Sequence, residues 1–287
     1  MASEAISLCM IVKDAERELA RCLDAVGDLA YEIIVVDTGS TDSTRAIAAR
    51  RGAKVIPFDF TRIDFAGARN CGVASASGQW ILVLDADEAL HAESRPLVRE
   101  IAARGENAGY YFERLNRRAE SKNAITDHVV RLFPNRPDYR YRGRVHETVD
   151  ASILTGGGRL VRTSIRIDHD FAGDPEARRK RNLLYVGILE EEIAADPADY
   201  SRLDFLAAEY HQLGMFDKAA SIAERLARLR PLDPESHLRA GIYHLLYKVD
   251  RARARANFIE ALRLRPGYAE AQSFLKSMEE QEREDGQ

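Results

Sequence analysis

Two aspartates, Asp85 and Asp87, close the apolar run Trp80-Ile-Leu-Val-Leu84. Side chains two apart on an extended strand point the same way. Both carboxylates therefore leave a buried strand together, where it meets its loop. Oxygen ligands of this kind suit Mg²⁺ or Mn²⁺, which usually bridge to substrate phosphates. A bound cation also relieves the repulsion between the two acids. Open α/β sheets bind ligands at the C-terminal ends of their strands, which separates this pair from an ordinary acidic loop.

The elements that must present the pair are legible upstream. A continuous apolar run over Ile6–Val12 reads as a first buried strand, and Ala15, Leu19, Cys22, Leu23 and Val26 follow at helical spacing. Ile33-Ile-Val-Val36 is a second strand, ended by Asp37-Thr-Gly-Ser-Thr-Asp42, whose residues 40–43 offer caps for a helix over 44–51. A third strand over 53–58, a helix over 66–76 and the strand carrying the aspartates complete a β-α-β-α-β-α-β order. That order implies a mainly parallel sheet with helices on both faces. The first strand is not followed by G-x-G-x-x-G, and no G-x-x-x-x-G-K-[ST] occurs. Any phosphate must then be held by a metal and by arginines. Asp37 at the second strand's tip either meets a ligand or caps the next helix. Arg69 either grips phosphate bidentately or makes a surface ion pair.

Four pieces stand in order over about the first ninety residues: Met10-Ile-Val-Lys-Asp-Ala-Glu16, Val35-Val-Asp-Thr-Gly-Ser-Thr-Asp42, Asp64-Phe-Ala-Gly-Ala-Arg-Asn70 and Ile81-Leu-Val-Leu-Asp-Ala-Asp-Glu88. Together they resemble glycosyltransferase family 2, with its GT-A fold. Arg131-Leu-Phe-Pro134, Val145-His-Glu147 and the later His169 resemble the branch of lipopolysaccharide-core β-glucosyltransferases and bacteriocin peptide glycosyltransferases. The resemblance implies a nucleoside diphosphate sugar donor, UDP in the first instance, with glucose as the sugar. It implies donor contacts from Val12, Asp37, Arg69, Asp85 and Ala86, with Asp85 near the ribose. By the same resemblance Asp87 binds Mn²⁺ or Mg²⁺, and His169 matches a further ligand recruited from beyond the sheet. Thr38 departs from the pattern, since a second aspartate is frequent there.

From Gly109 the pattern changes. Runs over 110–115 and 128–133 read as strands on the acceptor side, and Tyr139-Arg-Tyr-Arg-Gly-Arg-Val-His-Glu147 is dense in arginines and aromatics. Aromatic faces stack on sugars and arginines meet phosphate, so Arg131, Arg144 and His146 are candidate acceptor or phosphate contacts. Displacement at an anomeric carbon needs a base for the acceptor proton. Glu147 is the first candidate, its distance after the aspartate pair resembling the family's acidic base. Asp127 and Glu113 are rivals. On a strand, His146 would face away from Glu147. One such base fits a single inverting displacement.

Beyond residue 173 the strand pattern ends. Asp174 and Pro175 are a cap and a first helical residue. The stretch 219–231 recurs as 254–266, its closing prolines Pro231 and Pro266 lying 35 residues apart. That is close to the tetratricopeptide period, with flanking helices expected over 175–195 and 268–282. The reading is therefore a GT-A-type catalytic domain over 1–172 and an all-α tetratricopeptide-like domain over 173–287. The helices are expected to bind a peptide or lipid-linked acceptor, to form a homodimer, or to brace the catalytic domain. A saccharide is the third acceptor class.

The whole chain has 287 residues, 45% hydrophobic and 31% charged, with a net charge of −4. This balance points away from nucleic acid as a partner. No apolar run nears the ~20 residues that span a bilayer. Three cysteines without metal spacing and an N-terminus without a basic leader fit a cytoplasmic protein, at most peripheral at the inner membrane. Two other classes compete: a phosphohydrolase using a strand-end D-x-D, and a non-catalytic repeat adaptor with a degenerate transferase domain. The first needs its D-x-D after the first strand, whereas here three strands precede it.

Overall fold

The computed structural model describes residues 5–118, 125–171 and 174–285. The chain divides into two compact units with the break after residue 173. The boundary expected between 172 and 173 lies outside the described residues, as do tail residues 286 and 287.

In the first unit β1 (Ile6–Val12), α1 (Leu19–Val26), β2 (Glu32–Asp37), α2 (Thr44–Arg50), β3 (Lys54–Pro57), α3 (Phe65–Ala74) and β4 (Trp80–Val83) alternate as the apolar runs imply. The chain continues through β5 (Glu88–Leu90), α4 (Arg95–Arg104), β6 (Ala108–Arg118), β7 (Ile125–Pro134), α5 (Asp150–Thr155) and β8 (Arg159–Phe171). Among the described residues these strands form one sheet in the order β3-β2-β1-β4-β7-β6-β8-β5. Four of its seven pairings are parallel, so the sheet is mainly parallel with helices packed against it. Val12 pairs with Asp37 and Cys9 with Val83, which brings the tips of β1, β2 and β4 to one edge.

Strand alternation sorts the core into two layers. Leu8, Met10, Val35, Leu82 and Leu84 face one way, against Leu19, Cys22, Leu23 and Val26 of α1 and Val98 and Ile101 of α4. Cys9, Ile34, Ile81 and Val83 face the other, against Ala66 and Val73 of α3, Phe133, Tyr139 and Ile153. The run 80–84 is buried throughout because both faces are covered, as parallel sheets require.

The segment expected to carry His146 and Glu147 on a strand does not do so. It bends, with one isolated bridge between Arg142 and Thr148, and His146 has φ of 49°. The strand-alternation argument that separated His146 from Glu147 therefore fails: Tyr139, Tyr141 and Val145 are buried at alternate positions, but the positive φ of Gly143 (99°) and of His146 turns the chain out of an extended strand.

The second unit is all helical: α6 (Pro175–Ala195), α7 (Tyr200–Gln212), α8 (Phe216–Leu229), α9 (Pro234–Leu246), α10 (Arg251–Leu264) and α11 (Ala269–Asp285). Aspartates start four of them, Asp174, Asp199, Asp233 and Asp250 each accepting backbone N–H bonds in the first turn. Buried Ala219, Ala223 and Leu226 of α8 recur 35 residues on as Ala254, Phe258 and Ala261 of α10. At Gly241 a Cβ would stand 2.6 Å from the Phe258 ring, so α9 and α10 approach closely only with glycine there.

Candidate active site

The aspartate turn follows β4 directly and is held from below. Asp85 Oδ1 accepts from Arg69 Nη2 at 2.7 Å, and Oδ2 accepts from Arg131 Nη2 at 2.8 Å. Both arginines are buried, at 8% and 5% exposure. Burial alone would raise the Asp85 carboxyl, but the charges of Arg69 and Arg131 outweigh it and hold the group well below the usual carboxylate range. Asp85 is thus an ionised acceptor whose charge is met from behind. Arg131 is engaged inward, donating also to Glu88. Burial and the neighbouring Asp85 charge raise the Glu88 carboxyl, against the pull of Arg131.

Asp87 takes the other direction. The β5–β8 ladder pairs Glu88 with His169, and this sets His169 Nε2 3.3 Å from Asp87 Oδ2. The Asn116 amide donates to the carbonyls of Ile125 and Arg114, so its oxygen faces His169 Nδ1, 2.7 Å away. With a proton on Nδ1 for Asn116, Nε2 faces Asp87, and the protonated imidazolium donates from it to that carboxylate. Burial disfavours the imidazolium, yet the bond and charge of Asp87 raise the His169 pKa above its ordinary value. The carboxylate and a neutral Nε2, face to face, attract a cation, either a proton or a metal ion. Among the described residues no third His, Cys, Asp or Glu joins them. One carboxylate and one imidazole is a donor set that can hold a divalent cation, and the imidazole suits Mn²⁺ better than Mg²⁺, which keeps to oxygen ligands.

Arg69 belongs to α3, whose N-cap Asp64 accepts the Gly67 N–H at 2.8 Å. A Cβ on Gly67 would meet that carboxylate at 2.6 Å, which explains the glycine in the motif. Asn70 exchanges two hydrogen bonds with the backbone of Tyr141, at 3.0 and 2.8 Å, and so pins the bent segment to α3. Glu147 then reaches Arg69, accepting from Nε at 2.7 Å, and its side chain is 13% exposed. One guanidinium therefore bridges Asp85 and Glu147 and stacks under the Tyr141 ring, 5.5 Å from its centroid. Arg69 Nη1 and the Tyr141 hydroxyl are buried without a hydrogen-bond partner among the described residues. Such groups cost about 1–3 kcal/mol unless a ligand or water meets them.

At the neighbouring tip Asp37 is buried and accepts the Ser40 N–H at 3.1 Å, with Arg45 3.7 Å away. Thr38 donates its hydroxyl to the Val12 carbonyl at 3.0 Å, bracing β1 to β2 where a second acid would add charge. Ala86 is buried between the two acids. Arg144 donates to the Ile63 carbonyl at 3.0 Å, and its own carbonyl accepts from Phe65. His146 is half-buried beside Glu147 in sequence. The rival bases are bound elsewhere: Arg114 grips Asp127 through two nitrogens, and Arg166 donates to Glu113 at 2.9 Å. Glu88 and Asn116 were invisible as functional groups, although Glu88 follows the aspartate pair immediately.

The family model for glycosyl transferase family 2 matches residues 7–169. An uncharacterized glycosyltransferase of Rickettsia conorii is 35% identical over 206 residues, covering 69% of this chain and 68% of that one. A TPR repeat-containing protein of Synechococcus elongatus is 44% identical over 149 residues, 52% of this chain but only 36% of its own length. Crystallised S. aureus TarS in complex with UDP-GlcNAc shares the fold at TM-score 0.52 and 13% identity, over 92% of this chain and 93% of that one. With more than half of the chain under the family's model, and its aspartate turn at the tip of the fourth strand, this protein belongs to glycosyl transferase family 2.

Proposed function

We propose that the chain moves a hexosyl group, glucose by the branch its motifs resemble, from a UDP-sugar to a saccharide, lipid-linked or peptide acceptor in one inverting displacement. The observation that carries this reading is the Asp87–His169 pair, 3.3 Å apart with its imidazole oriented by Asn116. Uridine rests on the likeness to TarS, which was solved with UDP-GlcNAc.

Asp85, ionised and fixed by two arginines, accepts a ribose hydroxyl, and Asp37 takes the base or ribose beside Val12 and Ala86. Arg69 Nη1, buried and without a hydrogen-bond partner among the described residues, is assigned to an oxygen of the sugar donor. Asp87 and His169 would hold the cation, which when bound supplies stabilisation of negative charge on the departing diphosphate. Glu147 is oriented by Arg69 through Oε1, and its second oxygen takes the acceptor proton. As the acceptor's nucleophilic atom bonds to the anomeric carbon, the bond to the diphosphate oxygen breaks and its electron pair leaves on that oxygen. Arg144 and His146 border the acceptor. The free thiols of Cys9, Cys22 and Cys71 suit a reducing, cytoplasmic setting.

Incubation with Mn²⁺ and a panel of nucleotide sugars tests the proposal. Slow hydrolysis of one UDP-sugar is the expected result. Phosphate release from sugar phosphates would replace it with phosphohydrolysis, and no turnover would leave a binding module.

A further inference from the structure

Glu88 is fully buried at the start of β5, and none of the roles above uses it. Its Oε2 accepts the backbone N–H of Asp85 at 3.1 Å. Its Oε1 accepts from Arg131 Nη2 and lies 3.5 Å from Arg114 Nη1. Its backbone pairs with His169 across the β5–β8 ladder. One residue thus ties together the aspartate turn and the arginine behind Asp85 through its carboxylate, and the strand that carries His169 through its backbone. Burying an ion is costly, and apolar groups often fill such places with equal or greater stability. A carboxylate here therefore does something that packing alone would not require.

We infer that Glu88 is a positioning residue of the donor site: it fixes the turn and orients Arg131 so that Asp85 meets the donor while Asp87 stays beside His169. This rests on the donor reading given under the proposed function. Both Glu88 oxygens face N–H donors, so an amide of the same shape must turn its NH₂ toward one of them. Glu88→Gln consequently changes chemistry without changing volume.

The test uses the full chain, Mn²⁺ and the UDP-sugar that the wild type hydrolyses fastest. In Glu88→Gln the donor KM rises by about tenfold or more, as for other outer-shell partners of metal sites, while kcat changes much less. Glu88→Asp keeps the charge but draws it back by one methylene, and its KM rises less. A purely structural role would lower the active fraction, reducing kcat at unchanged KM, and that result overturns the inference. If Glu88→Gln does not fold, Glu88→Asp decides by the same split. A wild type that hydrolyses no donor overturns the functional reading and this inference with it. Wild-type turnover with an unchanged mutant KM overturns the inference alone.

Discussion

At the scale of single residues, the two aspartates of the turn have opposite environments and so different work. Asp85 is clamped by Arg69 and Arg131, one on each carboxylate oxygen. Asp87 is 44% exposed and meets His169. The Asp87–His169 geometry makes Asn116 consequential, since its amide oxygen lies 2.7 Å from Nδ1 while Nε2 faces the acid. We predict that Asn116→Leu weakens Mn²⁺ affinity by about 10–100-fold with the fold intact, as loss of such orienting bonds generally does. Unchanged Mn²⁺ affinity by calorimetry would remove the ligand role from His169. For Glu147→Gln we predict retained UDP binding and a loss of transfer of about 10²-fold or more, the range of general-base catalysis. Transfer near the wild-type rate would move the base elsewhere. Asp85 and Asp87 stand out because two acids end an apolar run, whereas His169 and Glu147 are legible only through the family resemblance. Glu88 and Asn116 were not legible, because their importance lies in bonds to residues 3 and 53 positions away.

At the scale of elements, β1 to β4 were readable because parallel strands covered on both faces are near-continuous apolar runs. The three-residue β5 is too short to show any period, and α5 sits in a polar, glycine-rich stretch, so neither declared itself. The entry to β4 depends on Glu32, which accepts from the hydroxyl of Ser7 at 2.6 Å, the N–H of Ser77 at 2.6 Å and the N–H of Gly78 at 3.2 Å. Burial would raise the Glu32 carboxyl, but these bonds outweigh it and lower its pKa. A carboxyl depressed in the folded state contributes stability above its unfolded pKa and loses it as pH falls through the folded one. We predict that Glu32→Gln narrows the stability difference between neutral and acidic pH, read as Tm against pH below the ordinary glutamate value. A Tm profile parallel to wild type would contradict this. Beside it, a Cβ on Gly78 would stand 2.7 Å from the Ala5 carbonyl oxygen. Gly78→Ala should therefore cost about 1–3 kcal/mol in urea unfolding, the usual scale of overpacking.

At the scale of the whole molecule, every residue assigned to the donor and base lies in the first unit, and the second has its own core. Phe258 is buried there, stacked on Phe274 with centroids 5.2 Å apart. Phe258→Ala should destabilise the helical unit by about 3–5 kcal/mol and leave the donor KM unaltered. A changed donor KM would show that the repeats take part in donor binding. Among the described residues no helix is long and apolar enough to cross a membrane. The repeat period was legible from Pro231 and Pro266, whereas the partner of those helices is written in no motif. The proposed chemistry needs a cation shared by Asp87, His169 and the donor's diphosphate, and calorimetry of UDP binding reaches it most directly. Wild-type protein should bind UDP with Mn²⁺ at least about tenfold more tightly than in EDTA, the scale on which metal-site losses are felt, and Asp87→Asn should erase that difference. Equal UDP affinity with and without Mn²⁺, or an Asp87→Asn variant that keeps the full metal effect, would contradict it.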